Sequence, residues 1–131
     1  PYAMAIDMWS MGCLLAEMWT GDPLFCGDSE REQMALFTEL RGPCPLSLAG
    51  SSRKYSHYFY QDGQPYFPSA WRRAGRAPGP LLLSDVIDCG CSAFTGFIEA
   101  CLSWDPEERL TPSAALRHTW LEQGYEIYLN K

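Results

Sequence analysis

The stretch "AIDMWSMGCLLAEM", Ala5 to Met18, decides the fold. Its apolar side chains fall on nearly every side of the helix that the spacing predicts over residues 5–20, and glycine and proline in "TGDP" then end that helix. A helix that is apolar all round is typical of a buried central helix, which the rest of the 131-residue chain would have to wrap. Asp7 is the exception, because burying a carboxylate is costly unless hydrogen-bond donors meet it. We therefore expect a group outside this helix to receive Asp7.

The composition limits the class of protein. Apolar residues make up 47% of the chain and aromatic residues 14%, which excludes a disordered chain. The formal charge of −6 argues against binding to nucleic acid or to an anionic membrane surface, because both need a positive field. One basic cluster, Arg72, Arg73 and Arg76, is either a solvated loop or a site for an acidic or phosphorylated segment. The chain contains no apolar run long enough to span a bilayer, so we expect an intracellular protein, cytoplasmic or nuclear.

The six cysteines show no regular C-x-x-C pairing. This usage predicts small, reduced, buried thiols rather than a disulfide framework. Cys89-Gly90-Cys91 could bind a metal, but one such pair without a nearby histidine or second pair is a weak signal.

Three more segments have helical signatures. Ser29 and Glu32 form a capping box before a shorter amphipathic helix over about 29–40. Apolar residues recur at helical spacing over about 92–102. Thr111 then caps a last helical stretch that has Pro112 at its first position.

Residues 43–92 differ from these segments in character. Six of the chain's prolines lie here, among tyrosines and phenylalanines that follow neither a helical nor a strand period. A long irregular insertion is the interpretation that this composition favours. The predicted fold is mainly α, with no strand and one long irregular insertion.

Two separated motifs identify a family. "DMWSMGCLLAEMWTGDPLF" and "CLSWDPEERLTPSAALRHTW" resemble the D-x-W-S-x-G and W-D-P-x-x-R segments in the C-terminal lobe of eukaryotic protein kinases. "GDPLFCGDSEREQM" and "FYQDGQPYF" are similar to dual-specificity tyrosine-regulated kinases of the CMGC group. The resemblance implies that residues 1–131 are a partial kinase domain, from after the activation segment to the end of the lobe. It also implies that residues 43–92 contain the insertion of the CMGC group.

The catalytic motifs of that family are not found in this sequence. Nothing resembles the glycine-rich loop, the Val-Ala-x-Lys strand, His-Arg-Asp or Asp-Phe-Gly. The resemblance implies that these motifs lie upstream of Pro1, in a missing N-terminal part of the kinase domain. ATP and magnesium would then be used by the full-length parent on protein substrates. No residue of this chain is assigned to catalysis, to cofactor binding or to metal binding.

The resemblance gives structural roles to residues of the first helix. Asp7 matches the aspartate that accepts backbone N–H bonds from the catalytic loop, with Trp9 and Gly12 supporting the same loop. Leu14 and Met18 match positions in the stack of apolar side chains beneath the adenine, and we expect them to be core residues.

Three further residues have a family role and an ordinary alternative. Arg109 matches the arginine that pairs with the glutamate of Ala-Pro-Glu in the activation segment; the alternative is a solvated charge in "PEERL". Glu17 matches a position that contacts basic substrate peptides in some kinases, although a helix-surface acid is the more common case. His118 matches a structural histidine rather than a metal ligand or a catalytic residue.

The leading hypothesis is a scaffold and peptide-docking fragment of a serine/threonine or dual-specificity kinase, inactive by itself. The alternative is a pseudokinase or truncated, non-catalytic interaction module, and a third possibility is an unrelated helical protein. Under the leading hypothesis the first helix lacks the catalytic loop on one side, which predicts an exposed apolar patch.

Overall fold

The computed structural model describes residues 2–50, 52–66 and 81–129. The predicted fold class is confirmed, because these residues are mainly helical and contain one isolated β-bridge, Phe59 with Pro65, in place of strands. The helices are α1 (Tyr2–Thr20), α2 (Glu30–Arg41), a short 3-10 helix (Leu46–Leu48), α3 (Tyr55–Tyr58), α4 (Leu83–Ile87), α5 (Ser92–Cys101), α6 (Pro112–Ala115) and α7 (Thr119–Leu129). They form two compact units: residues 1–23 with 83–131, and residues 24–82.

The first unit is built around α1 and α5. Its core contains a cluster of buried side chains from α1, α5 and α6: Met8, Phe97, Cys101 and Ala115. Four partly buried side chains pack against this cluster: Leu15, Leu110, Trp120 and Leu121. Helix α4 also packs on this unit, since the indole Nε1 of Trp19 donates to the Ile87 carbonyl at 2.9 Å. Burial of this core drives the association of two chain segments that are far apart in sequence.

The second unit has α2 as its longest helix. The rings of Phe25 and Phe37 meet edge to face with centroids 4.6 Å apart, which fixes the chain entering α2 against the helix itself. Further along, the Cys44 N–H donates to the Gly63 carbonyl at 3.1 Å. Gly63 has a φ of +81°, and a Cβ there would lie 2.3 Å from the Cys44 oxygen, so only glycine permits this approach.

The N-terminus of α2 contains the predicted cap in a modified form. The Ser29 hydroxyl accepts the Glu32 N–H at 3.2 Å, as in a capping box. The Glu32 carboxylate, however, accepts the Asp28 N–H at 2.9 Å instead of the Ser29 N–H. Glu32 is buried, so this bond gives one donor to a carboxylate that water reaches poorly.

Replacing Ser29 with alanine is expected to lower the free energy of unfolding of the second unit by about 1 kcal/mol, because the Glu32 N–H loses its acceptor. The measurement is a urea titration followed by circular dichroism. Ser56→Ala, in the exposed part of α3, is the matched control and should change stability far less. Equal effects of the two substitutions would contradict the cap.

One expectation needs correction. The stretch from Thr111 does not continue as one helix, because α6 ends at Ala115 and α7 begins at Thr119. In the turn between them the Trp120 N–H donates to Nδ1 of His118 at 3.2 Å, so the histidine side chain caps α7. Within residues 43–92, the described parts contain three short helical segments, the 3-10 helix, α3 and α4, joined by irregular chain. The Arg72, Arg73 and Arg76 cluster lies outside the described residues.

Candidate functional site

Helix α1 contains most of the predicted site residues and has two unlike faces. Met8, Gly12 and Ala16 recur every four residues and are buried. The face beside it forms an exposed row of side chains, here called the open stripe: Met4, Asp7, Met11, Leu14 and Met18. Their spacing alternates between three and four residues, which is typical of a helix face that packs against another segment of chain.

The expectation that the chain wraps α1 on every side is wrong. Leu14 is 51% exposed and Met18 is 74% exposed, so these two residues are not core residues of this chain. The expected apolar patch is present, because Met4 and Met11 extend the same row. Soluble proteins rarely leave such a row uncovered without a binding role.

Asp7 lies within the open stripe and is exposed. The cost of burying its carboxylate therefore does not arise in this chain, which answers why an acid is tolerated there. An acid flanked by Met4 and Met11 would be desolvated only if another segment covered the stripe. That segment would have to supply hydrogen-bond donors.

Arg109 is buried and holds the two motifs together. Its guanidinium donates to three backbone carbonyls, those of Ala5 at 2.7 Å, Ser103 at 2.9 Å and Trp104 at 3.1 Å. It also lies over the Trp9 ring, 5.1 Å from the centroid, while Trp9 itself packs against Trp104. The alternative of a solvated charge is wrong, because the side chain is buried and these contacts tether the "SWDPEER" segment to the start of α1.

Gly12 allows α1 and α5 to approach closely. A Cβ on Gly12 would lie 2.7 Å from the Cβ of Cys101 and 3.3 Å from the side chain of Leu102. The nearest atoms belong to side chains of Cys101 and Leu102. Glycine is still required, because the Cys101 Cβ is attached directly to the α5 backbone and cannot turn away.

The remaining predicted residues take ordinary positions. Glu17 is exposed on α1. His118 caps α7 and its ring meets Phe97 edge to face at 5.2 Å, in keeping with a structural role. Within the described residues no group of three or more histidine, cysteine, aspartate or glutamate side chains could hold a metal ion.

The cysteines divide into two sets, which corrects the expectation that all are buried. Cys26 and Cys91 are exposed and Cys89 is partly exposed, and all three are free thiols. Burial raises the pKa of Cys13, Cys44 and Cys101 to about 11, so the reactive thiolate is disfavoured at these three positions.

Sequence reasoning did not identify two members of the open stripe, Met4 and Met11. Counting a period of three and four residues from Leu14 toward the N-terminus would have found both. It also missed the Trp104 ring, which packs on Trp9 although both lie within the motifs already noted.

The fold and this arrangement define a class: a helical lobe whose long, exposed helix is tied by a buried arginine to a distant Trp-Asp-Pro turn. A model of the protein kinase domain family matches residues 1–121. The chain belongs to the protein kinase domain family.

Curated relatives narrow the comparison to kinases of the DYRK type. The chain is 40% identical over 126 residues to the DYRK-family kinase pom1 of Schizosaccharomyces pombe, covering 96% of this chain and 12% of that protein. It is 40% identical to dual specificity tyrosine-phosphorylation-regulated kinase 2 of Drosophila melanogaster, covering 92% of this chain and 17% of the relative. The human kinase 4 of the same name is 38% identical, and the chain covers 24% of its length. The chain thus spans a quarter or less of these relatives.

Solved structures agree with the fold. The kinase domain of PF14_0431 matches 89% of this chain with a TM-score of 0.68 and 28% identity, and this chain covers 36% of it. The MAP kinase LMAMPK10 of Leishmania major matches with a TM-score of 0.66 at 22% identity, and this chain covers 35% of it. Among the residues that the structure describes, no helix is long and apolar enough to cross a membrane.

Proposed function

We propose that this chain is the scaffold part of the C-terminal lobe of a DYRK-like protein kinase. In this proposal residues 1–131 correspond to the lobe from after the activation segment, with residues 43–92 as the insertion typical of the CMGC group. The parent enzyme transfers the γ-phosphoryl group of ATP to hydroxyl groups of protein substrates, with magnesium. The observation that carries the proposal is the open stripe, which has the apolar side chains and the single acid needed to seat another part of the domain.

Each residue has a definite task in this proposal. The Asp7 carboxylate accepts backbone N–H bonds from the catalytic loop, which fixes the shape of that loop. Trp9 and Gly12 hold α1 in the position that this bond requires. Leu14 and Met18 pack beneath the apolar residues that contact the adenine.

Arg109 and Glu17 act at other parts of the lobe. Arg109 pairs with a glutamate of the activation segment in addition to its carbonyl contacts. Glu17 is available to a basic substrate peptide on the helix surface.

ATP and magnesium are not assigned to residues of this chain. Mg²⁺ with nucleotide phosphates is held by carboxylates and amides that converge on the metal. The open stripe contains a single carboxylate, that of Asp7, and its other side chains are apolar. No step of phosphoryl transfer is therefore derived from them.

A chimeric kinase tests the proposal. The matching segment of the Drosophila kinase is replaced by this chain, to which it is 40% identical over 121 residues, and phosphorylation of a protein substrate is measured. The chimera should be active, and Asp7→Ala should lower its kcat about 100-fold, because a displaced catalytic loop misplaces the reacting groups. Asp22→Ala, an exposed acid outside the stripe, is the matched control and should leave kcat unchanged. This chain alone should give no phosphorylation above buffer.

Two results would contradict the scaffold role. One is a folded chimera in which Asp7→Ala keeps the kcat of the unmodified chimera. The other is phosphorylation by this chain alone.

The second candidate is a non-catalytic interaction module, which the exposure of the open stripe also favours. The upstream coding sequence separates the two candidates. An open reading frame containing His-Arg-Asp, Asp-Phe-Gly and Ala-Pro-Glu supports the enzyme. Degraded motifs, or a folded chimera with no activity, support the module.

A further inference from the structure

Two cysteines, Cys89 and Cys91, lie two positions apart in the loop between α4 and α5. The Cys89 sulfur accepts the Cys91 N–H at 3.3 Å and lies 3.6 Å from the Thr95 hydroxyl. Cys91 is the N-cap residue of the ten-residue helix α5, is exposed, and uses no side-chain atom to cap the helix. Its side chain is therefore open to solvent and is not used to cap the helix.

The short, bent backbone between the two cysteines is compatible with a disulfide. Asp88 has a φ of +40° and Gly90 a φ of +64°, so the chain bends on both sides of Cys89. Two residues span at most about 7 Å when fully extended, and a bend shortens that distance. A disulfide needs Cα atoms about 4.4–6.8 Å apart. The Cys89 sulfur already contacts the backbone nitrogen of Cys91. The main change required for a disulfide is therefore rotation of the Cys91 side chain.

The other four thiols do not offer a competing pair of this kind. Cys13, Cys44 and Cys101 are withdrawn by burial, as described above. Cys26 is exposed but has no second cysteine near it in sequence. Cys26 therefore provides an internal control for the reactivity of a single exposed thiol.

We propose that Cys89 and Cys91 form a reversible intramolecular disulfide by exchange with a small-molecule disulfide such as oxidised glutathione. The deprotonated Cys91 sulfur attacks one sulfur of glutathione disulfide; the bond between the two glutathione sulfurs breaks, and one glutathione leaves as a thiolate. The deprotonated Cys89 sulfur then attacks the Cys91 sulfur and releases the second glutathione. The two cysteines are oxidised, and glutathione disulfide is reduced to two thiols, which take up the two cysteine protons through the solvent.

The disulfide has a consequence for the loop. Its formation replaces the Cys89 thiol, which accepts the Cys91 N–H and lies beside the Thr95 hydroxyl, by a disulfide sulfur that has no S–H to donate. A small exposed ring of this kind is typical of labile disulfides rather than permanent ones. This site is independent of the open stripe, so it neither requires nor tests the scaffold role.

The experiment uses the whole folded chain with oxidised glutathione at mildly alkaline pH. Samples are quenched with acid at intervals, then alkylated in denaturant and analysed as peptides by mass spectrometry. The expected result is the loss of two alkylation sites, Cys89 and Cys91, with a peptide lighter by two hydrogens. Cys26 should instead gain glutathione, and Cys26→Ser should leave the cross-link unchanged.

Variants and a denatured sample make the test decisive. Cys89→Ser should accumulate glutathione on Cys91, because the second step is blocked. The cross-link should form faster in the folded chain than in urea, since the folded loop holds the thiols together. Persistent glutathione on the pair in the unmodified chain, or an equal rate in urea, would overturn the proposal.

Discussion

Arg109→Ala is expected to lower the free energy of unfolding of the first unit by about 3 kcal/mol, since three carbonyls lose a charged donor. The Trp9 ring also loses the cation that covers it. The effect is large because the side chain is buried and connects the "WDP" turn to the start of α1. Urea unfolding followed by tryptophan fluorescence measures it, since Trp9 and Trp104 lie at the contact.

Two variants determine whether the geometry or the charge matters. Arg109→Lys keeps the charge but replaces the planar fork by a compact ammonium, so most of the stability loss should remain. Arg117→Ala removes an exposed arginine in the same unit and should cost little. If Arg109→Lys behaved like the unmodified chain, the three directed hydrogen bonds would not be the source of the stability.

Gly12→Ala is expected to destabilise the first unit although alanine is the better helix former. The added Cβ would lie 2.7 Å from the Cys101 Cβ, well inside the usual separation of about 3.5–4.0 Å between carbon atoms. Overpacking of this kind costs about 1–3 kcal/mol, against a propensity gain of at most about 1 kcal/mol. The expected net loss is therefore up to about 2 kcal/mol, measured from the urea midpoint.

Gly96 provides the matched control for Gly12. It lies inside α5, and a Cβ there would meet nothing within 4 Å. Gly96→Ala should therefore raise stability by about 0.5–1 kcal/mol through helix propensity alone. Opposite signs at the two glycines are the predicted signature, and stabilisation by Gly12→Ala would show that α1 and α5 do not pack this closely.

Local features were predictable because their causes lie within a few residues. The end of α1 at Thr20 is set by the glycine and proline that follow it. In the caps of α2 and α6, the side chains of Ser29 and Thr111 each accept a hydrogen bond from the N–H three residues further on. The family was predictable for another reason, since two separated motifs in the right order seldom coincide by chance.

Features that depend on distant partners were not predictable. Helix α1 is apolar on nearly every side, so the spacing of its apolar residues cannot indicate which face is exposed to solvent. For this reason Leu14 and Met18 were wrongly expected in the core. The carbonyl groups that accept hydrogen bonds from Arg109 could not be predicted either. One of them belongs to Ala5, which lies 104 positions away in the sequence. The spacing of Cys89 and Cys91 was visible in the sequence, but the bends at Asp88 and Gly90 that bring them together were not.

The first unit is made from two ends of the chain, with residues 24–82 between them. Closing a loop costs free energy that grows only with the logarithm of its length, so doubling the intervening segment would cost about 0.6 kcal/mol. The contacts that close it, such as Trp19 with Ile87 across 68 positions, are nevertheless non-local and slow to form. Changes in the length of the middle segment should therefore affect the rate of folding more than the final stability, which leaves that segment free to diverge.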